Sequence, residues 1–208
     1  TGAPRGLVPV PRLDAQGRPT PLIAETGGMN AMIVDSSALT EQVVVDVVAS
    51  AFDSAGQRCS ALRVLCLQDD VADHTLKMLR GAMGECRMGN SGRLTTDIGP
   101  VIDAEAKANI ENHIQAMRAK GRPVFQAVRE NSEDAREWTS GTFVAPTLIE
   151  LASFDELKKE VFGPVLHVVR YNRNNLDQLI EQINASGYGL TLGVHTRIDE
   201  TIAQVTGS

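Results

Sequence analysis

Apolar positions along this chain follow two periods, which alternate through most of its length. A spacing of three to four residues predicts helices from Thr40 to near Asp53, over residues 72 to 86, 103 to 119 and 176 to 184, and at the carboxyl-terminal end, where Ile198, Ile202 and Val205 share a face. Short apolar runs predict strands over residues 22 to 24, 31 to 34, 61 to 67, 124 to 128, 143 to 150, 166 to 171 and 190 to 195. Strands that alternate with helices predict an α/β fold of three layers around a largely parallel sheet.

Local signals refine these elements. Thr40 is expected to cap the first helix with its hydroxyl, because a helix leaves its first amide groups without partners. Ser153 and Glu156 have the spacing of a capping box that opens a short helix. Residues 88 to 100 are dotted with glycine and fit neither period, and residues 129 to 140 are a polar insertion.

The length of 208 residues is enough for one large domain with a full core. Residues 1 to 21 are punctuated by proline and glycine, so we interpret them as a flexible lead-in, of which residues 1 to 11 are a remnant of processing or cloning. The rest of the sequence contains no repeat, low-complexity tract or convincing linker. It therefore predicts one domain over residues 22 to 208.

Charge and cysteine content bear on the class of protein. The 20 basic and 26 acidic residues give a net charge of −6, so the balance favours neither nucleic acid nor an anionic membrane as a partner. Asp46 and other charges interrupt the apolar runs, so no segment is expected to span a bilayer. Three cysteines match neither a disulfide framework nor a zinc site and favour a reducing cytoplasm, and four scattered histidines predict no metal site.

Cys59 is the first candidate for chemistry. It lies in the predicted connection between a helix and a buried strand, a kind of loop that often carries reactive groups. A cysteine is a strong nucleophile only as a thiolate, and Arg58 is a neighbour that could supply positive potential. The alternative is a buried structural thiol, which is the interpretation we give to Cys66 and Cys86.

Glu25 is the second candidate. Apolar strand residues and two glycines flank it, so partial burial is expected to raise its pKa and suit it to act as a general base. Gly27 and Gly28 allow a ligand or another part of the backbone to approach closely. The alternative is a carboxylate at a strand end that is bonded only to backbone amides. The chain shows neither a dinucleotide-binding glycine motif before a helix nor a phosphate-binding loop.

Six short motifs in a fixed order resemble the NAD(P)-dependent aldehyde dehydrogenase superfamily. Within it, the likeness is greatest to the L-glutamate-γ-semialdehyde (1-pyrroline-5-carboxylate) dehydrogenases. The motifs are Glu25-Thr-Gly-Gly-Met-Asn30, Gly56-Gln-Arg-Cys59, Asp97-Ile-Gly-Pro100, Gly141-Thr-Phe-Val-Ala-Pro-Thr147, Glu160-Val-Phe-Gly-Pro-Val165, and Asn184 with Tyr188-Gly-Leu-Thr191.

The resemblance implies a role for each candidate residue. Cys59 is expected to attack an aldehyde and pass through a thiohemiacetal and a thioester, and Glu25 to activate the water that hydrolyses the thioester. Glu160 and Phe162 are expected to contact the nicotinamide ribose and ring of NAD. Gly27 is assigned to the cofactor site and Ser60 to the substrate carboxylate. The family also implies a homo-oligomeric parent protein and allows FAD only in a separate proline-oxidising domain.

The sequence departs from the family at both ends. The nucleotide-binding elements, cofactor lysine and oxyanion asparagine that the family places before residue 25 are not recognisable, and neither are its later substrate-anchoring and oligomerisation segments. We therefore expect a fragment that carries the catalytic domain, lacks most of the cofactor site and is inactive alone. Two alternatives are a thiol hydrolase or acyl-transfer module that uses Cys59 and Glu25 without a nucleotide, and a non-catalytic scaffold or interaction domain.

Overall fold

The structure is a computed structural model, and it describes residues 13 to 19, 27 to 127 and 141 to 207. Its strands are β1 (Ala31–Val34), β2 (Val64–Gln68), β3 (Val124–Gln126), β4 (Thr147–Leu151), β5 (Val165–Tyr171) and β6 (Leu192–His195). Its helices are α1 (Thr40–Phe52), α2 (Asp69–Glu85), α3 (Ala104–Ala119), α4 (Leu176–Ala185) and α5 (Asp199–Thr206). Short 3₁₀ turns cover Asp53–Gly56, Phe154–Glu156 and Arg173–Asn175.

The six strands form one sheet in the order β3-β4-β5-β2-β1-β6. Every neighbouring pair is parallel except β3 with β4, so the prediction of a largely parallel sheet in an α/β fold is confirmed. In register, Ala31 of β1 lies opposite Val64 of β2 and Leu192 of β6, and Val64 lies opposite His167 of β5. These four strands therefore begin at the same edge of the sheet.

The central strands are covered on both faces. All residues of β1 and β2 are buried, as are all residues of β5 except Arg170. The connection from β1 to β2 and the one from β5 to β6 run in opposite directions across the sheet, so right-handed crossovers place α1 and α4 on opposite faces. Two helical layers and a sheet are the three layers that the alternating pattern predicts.

Two predicted caps are wrong. Leu39, not Thr40, is the N-cap of α1, and its side chain makes no cap hydrogen bond, while Thr40 is already helical. Ser153 also makes no side-chain cap bond before the 3₁₀ turn. The Glu156 carboxylate accepts from the N–H of Ala152 and from Arg122 Nε, both at less than 3 Å, so it is not turned back to the N–H of Ser153 as a capping box requires.

Several predicted boundaries shift. The second helix begins at Asp69 instead of residue 72, directly after β2, with two aspartates in its first turn, where the helix dipole favours negative charge. The strand predicted from residue 143 begins only at Thr147, after Pro146, and the strand predicted from residue 190 begins at Leu192. The predicted strand over residues 22 to 24 lies outside the described residues. So do residues 128 to 140, which include the polar insertion.

A candidate active site at the amino edge of the sheet

We call the edge at which β1, β2, β5 and β6 begin the amino edge, and the opposite edge the carboxyl edge. Asn30 directly precedes β1, and Arg63 directly precedes β2. Gly163 and Thr191 lie just before β5 and β6 in the same way. The parallel directions of these strands therefore bring four distant segments of the sequence together.

A tight turn delivers Cys59 from the end of α1 to this edge. Ser54 and Ala55 have φ values of 56° and 53°, a left-handed conformation that costs a residue with a side chain about 1–2 kcal/mol. Gly56 follows with φ of 65°, and a Cβ there would lie 2.2 Å from the carbonyl oxygen of Gly163. Glycine is therefore required at residue 56, both for its backbone conformation and for contact with the segment before β5.

The loop of residues 57 to 63, which we call the Cys59 loop, is held through its carbonyl groups. Asn30 Nδ2 donates to the carbonyl oxygens of Cys59 and Ala61, both at 2.8 Å. Arg63 Nη2 and the N–H of Ala61 donate to the carbonyl of Arg58, at 3.2 Å and 3.1 Å. The backbone around Cys59 is thus fixed from the protein side, while Cys59 itself is exposed.

Gln57 fixes the other end of the same loop. Its Oε1 accepts from the N–H of Ile102 at 2.8 Å, and its Nε2 donates to the carbonyl of Pro100 at 3.3 Å. These bonds connect the motif that ends in Cys59 to the motif that ends in Pro100. Two of the six motifs noted in the sequence therefore meet directly.

Arg63 is the centre of the site. Its side chain is fully buried, and Nε donates to Glu160 Oε1 at 2.9 Å while Nη1 donates to the carbonyl of Gly163 at 3.1 Å. Its Cζ lies 5.1 Å from the ring centroid of Phe162, in the range of a cation–π contact. Burial lowers the pKa of Arg63, and the opposing charge of Glu160 counteracts that effect. One buried guanidinium therefore joins the Cys59 loop to the segment that carries Glu160 and Phe162.

The two glycines after Glu25 lie between these groups. The N–H of Gly28 donates to Glu160 Oε2 at 2.9 Å, and a Cβ on Gly28 would lie 2.9 Å from the carbonyl oxygen of Cys59. A Cβ on Gly27 would lie 2.9 Å from Glu160 Oε2. Residue 28 therefore needs glycine for close approach to backbone, whereas a side chain at residue 27 would require the Glu160 carboxylate to shift. Glu25 itself lies outside the described residues, so its predicted meeting with Cys59 stays a prediction.

A cavity of about 530 Å³ opens beside Glu160 and Phe162. Asn109, Asn112 and His113 of α3 line its other side. The Phe162 ring is 46% exposed, which is unusual for a large apolar side chain next to a buried core. A carboxylate and an exposed ring on one wall suit a ligand with hydroxyl groups and a flat face.

Two of the histidines meet behind this cavity. His113 Nε2 and His167 Nε2 are 2.8 Å apart, and His167 Nδ1 lies 3.2 Å from the carbonyl of Arg63. Because a carbonyl oxygen only accepts, His167 carries its proton on Nδ1. Its Nε2 is then unprotonated and accepts a hydrogen bond from His113 Nε2. Burial, reinforced by His113, lowers the pKa of His167 to about 3.

The other predicted side chains are placed as follows. Ser60 is exposed beside Cys59. Arg58 Nη2 donates to the carbonyls of Ala49 and Ser50 at the end of α1, at 2.8 Å and 2.9 Å, so its hydrogen bonds go to the helix end. Cys66 is buried in β2, and burial raises its pKa to about 12, as expected of a structural thiol.

Cys86 is partly buried, and its Sγ lies 3.6 Å from the carbonyl of Ala82. In the described ranges, no group of three or more His, Cys, Asp or Glu side chains could hold a metal ion. No helix in the described part of the chain combines the length and apolar character needed to cross a membrane.

The sequence analysis missed the roles of Asn30 and Arg63. A charged residue inside a predicted buried strand was the signal for Arg63.

The fold and the meeting of these motifs define a class of protein. Residues 12 to 208 match the model of the aldehyde dehydrogenase family. The chain belongs to this family.

Individual members of the family differ in how similar they are to this chain. The chain is 91% identical over 197 residues to the bifunctional protein PutA of Escherichia coli strain K12, a match that covers 95% of this chain and 15% of that protein. A 1-pyrroline-5-carboxylate dehydrogenase of Staphylococcus aureus is 34% identical over 84% of the chain and 32% of its own length. The chain therefore spans about 15% of the length of the PutA relatives that it matches.

Solved structures show the same likeness. A crystal structure of bifunctional proline utilization A (PutA) matches with a TM-score of 0.82 and 50% identity, over 90% of this chain and 18% of the other. A betaine aldehyde dehydrogenase from Staphylococcus aureus, solved in complex with NAD⁺, matches with a TM-score of 0.78 and 27% identity over 87% of this chain and 36% of the other.

Proposed function

We propose that this chain is the catalytic part of an NAD-dependent dehydrogenase that oxidises L-glutamate γ-semialdehyde to L-glutamate in proline catabolism. The observation that carries the proposal is the exposed Cys59, whose loop one buried arginine joins to Glu160 and Phe162. The identity to PutA and the likeness to a 1-pyrroline-5-carboxylate dehydrogenase support the substrate. Membership in the aldehyde dehydrogenase family supports the reaction.

The residues suit the cofactor only in part. The Glu160 carboxylate and the exposed Phe162 ring lie on the wall of the cavity beside α3. There the carboxylate can accept hydrogen bonds from ribose hydroxyls, and the ring can contact a nicotinamide ring. Gly27 leaves the space beside Glu160 free of a side chain. NAD, when bound, accepts a hydride. We propose that the rest of its site lies in other parts of a longer, homo-oligomeric cytoplasmic protein, that FAD belongs only to a separate domain, and that residues 22 to 208 form one domain.

The protein's own residues perform two half-reactions in this mechanism. The Cys59 thiolate adds to the aldehyde carbon, and the carbonyl oxygen becomes the oxyanion of a thiohemiacetal. Loss of hydride from that carbon leaves a thioester on Cys59. Glu25 then takes a proton from water, the hydroxide attacks the thioester carbonyl, and L-glutamate and the thiol are released. Ser60, next to Cys59, contacts the α-carboxylate of the substrate.

Protection of Cys59 from alkylation tests this function without any cofactor. Iodoacetamide should modify the exposed Cys59 of the purified chain at least about tenfold faster than the buried Cys66, because only an accessible thiolate reacts. L-Glutamate γ-semialdehyde should slow labelling of Cys59 through the thiohemiacetal and leave labelling of Cys86 unchanged, as followed by peptide mass spectrometry. Propanal at the same concentration is the control for the α-carboxylate.

Each outcome separates the proposed function from its alternatives. Equal, denaturant-dependent labelling of all three cysteines would favour a scaffold. Fast labelling of Cys59 with no protection by the semialdehyde would favour a thiol hydrolase. Steady NADH production by the chain alone would contradict the expected inactivity of the isolated chain and leave the assignment of Cys59 intact.

A further inference from the structure

Both oxygens of the Glu160 carboxylate are bonded within the protein. Arg63 Nε donates to Oε1 and the N–H of Gly28 donates to Oε2, each at 2.9 Å. The Glu160 side chain is only 10% exposed, although Glu160 lines the cavity of about 530 Å³ beside α3. A ligand in that cavity therefore meets a carboxylate whose hydrogen-bonding capacity is already partly used by the protein itself.

The same pair of donors occurs at a second carboxylate, that of Glu156. It accepts from the N–H of Ala152 at 2.7 Å and from Arg122 Nε at 2.9 Å. Glu156 is not among the residues that line the cavity beside α3. The two carboxylates thus share one bonding pattern, and of the two only Glu160 combines it with a place where a ligand can compete for the bonds.

The two bonds of Glu160 differ in strength. Arg63 is fully buried and Glu160 is its counter-charge, so separating them would leave a buried cation without compensation. The N–H of Gly28 is neutral, and a hydrogen bond between two charged groups is stronger than one from a neutral donor. A competing ligand would therefore displace Gly28 and not Arg63. Gly28 is itself buried, so the loss of its acceptor opposes binding of the ligand.

The absence of a side chain at Gly27 leaves room for the carboxylate to move. A Cβ on Gly27 would lie 2.9 Å from Glu160 Oε2 and 3.5 Å from Cε1 of the Tyr188 ring. Oε2 therefore lies directly against the backbone of the two glycines. No side chain of Gly27 or Gly28 stands between Oε2 and the N–H that it accepts from, so a rotation of the carboxylate can exchange one donor for another.

We propose that the N–H of Gly28 is an internal competitor for Glu160, which a ligand with two adjacent hydroxyl groups displaces from Oε2 while Arg63 keeps Oε1. The proposal rests on the proposed function, in which Glu160 accepts hydrogen bonds from ribose hydroxyls. The contact is autoinhibitory, because the hydrogen bond that the ligand gains is offset by the one that Gly28 loses. The coupling is reciprocal: a ligand bound at Glu160 loosens the two glycines, and any contact that holds them at Glu160 weakens binding of the ligand.

Amide hydrogen exchange of the purified chain, followed residue by residue by ¹H–¹⁵N NMR, tests this competition. Nicotinamide riboside is the probe, because it carries a flat ring and a ribose with two adjacent hydroxyls. At saturation it should accelerate exchange of the Gly28 N–H at least about tenfold and move that proton upfield, because the acceptor is lost. The N–H of Ala152 should stay unchanged. Nicotinamide, which has the ring without the hydroxyls, should leave both groups unchanged.

Variants test the bond without any ligand. Glu160→Gln keeps an oxygen for Arg63 and turns an NH₂ group, which cannot accept, towards Gly28. Exchange of the Gly28 N–H should therefore rise about tenfold, and the riboside should add nothing further. The matched control Glu156→Gln should raise exchange of the Ala152 N–H alone.

Gly27→Ala remains decisive if Glu160→Gln does not fold, because it keeps the counter-charge of Arg63. Its Cβ would lie 2.9 Å from Glu160 Oε2 and push that oxygen away from the N–H of Gly28. Exchange of the Gly28 N–H should then rise without ligand, as in Glu160→Gln.

The outcomes separate the competition from the proposed function. A riboside that shifts the side-chain amides of Asn109 and Asn112 in the cavity wall but leaves exchange of Gly28 unchanged would overturn the competition and leave the proposed function intact. Unchanged exchange of Gly28 in Glu160→Gln and Gly27→Ala would also overturn the competition. A riboside that shifts none of these amides would count against the cavity as a cofactor site, and so against the proposed function on which the competition rests.

Discussion

The two edges of the sheet use charge differently. At the amino edge, the Arg63 side chain is fully buried and Glu160 is 10% exposed, and their ion pair joins residues 97 positions apart. At the carboxyl edge, the side chain of Arg170 is 38% exposed and pairs with Glu150 and with the largely exposed Asp73. The first pair is largely removed from solvent, so each charge depends on its partner for compensation. The second pair remains accessible to solvent.

The difference indicates where the fold tolerates change. A buried ion pair that also binds backbone carbonyls fixes the relative positions of several segments, and the loss of one partner leaves an uncompensated charge. An exposed pair contributes little, because solvent screens it and replaces it. The amino edge is therefore the fixed edge, and it is the edge that carries Cys59.

The largest effect is expected from Arg63→Met. The substitution leaves the Glu160 carboxylate buried without its cation, so the free energy of unfolding should fall by about 3–5 kcal/mol. Urea unfolding followed by circular dichroism measures it. The matched variant Arg170→Met at the carboxyl edge should lose only about 0.2–1 kcal/mol. Similar losses in the two variants would show that the two edges do not differ in this way.

Gly56→Ala should have the next largest effect. It places a Cβ on a residue with φ of 65° and 2.2 Å from the Gly163 oxygen, so it adds a clash with backbone to the cost of the conformation. The comparison is Gly187→Ala, because Gly187 has φ of 74° and no atom within 4 Å of an added Cβ. Thermal unfolding should show a loss of about 1–2 kcal/mol for Gly187→Ala and at least about 1 kcal/mol more for Gly56→Ala. Equal losses would mean that the segments before β2 and β5 can move apart at no cost.

A third effect is a difference in acid sensitivity. Burial lowers the pKa of His167 to about 3, against about 6.5 in an unfolded chain, so the unfolded state binds more protons below pH 6.5. Stability from this group is therefore complete above pH 6.5 and falls as the pH drops towards 3, by up to about 1.4 kcal/mol per pH unit. Urea unfolding between pH 4 and 6 should give a flatter pH dependence for His167→Gln than for the unsubstituted chain.

Asp35 provides the comparison at the carboxyl edge. Burial pushes its pKa up, but hydrogen bonds from Ser37 and Thr196 outweigh burial and hold the pKa below its ordinary value. Its stabilising effect is therefore complete above the unfolded pKa of about 3.9 and is lost only as the pH falls further. Asp35→Asn should leave the slope between pH 5 and 6 unchanged. A change of slope there in Asp35→Asn, but not in His167→Gln, would reverse the assignment.

The order and type of the elements could be read from the sequence, because apolar periodicity reports burial directly. The boundaries of α2 and β4 could not. Asp69 is a polar residue that the helix dipole favours in the first turn of α2, and the apolar run from residue 143 begins four residues before β4. Arg58 shows a related limit. Sequence adjacency to Cys59 says nothing of where a long side chain turns, and the end of α1 has no basic residue of its own.

The local sequence made Cys59 a candidate, and the resemblance added Glu160 and Phe162. Arg63 carried a physical signal that could have been used. An arginine in an apolar run before a strand needs a buried acid as partner, and the sequence offers Glu160 in a similar position before another strand. The location of the site at the amino edge could also have been inferred from the sequence, because each of these residues precedes its strand and parallel strands begin together.

Because each segment of the site precedes its strand, the opposite ends of these strands are free of the chemistry. A tag, a fluorescent label or a lengthened connection introduced near the Arg173–Asn175 turn, between β5 and α4, would report on the folded sheet without touching Cys59. The arrangement also implies that insertions and deletions at the carboxyl edge can be tolerated while the amino edge, which carries Cys59, stays unchanged.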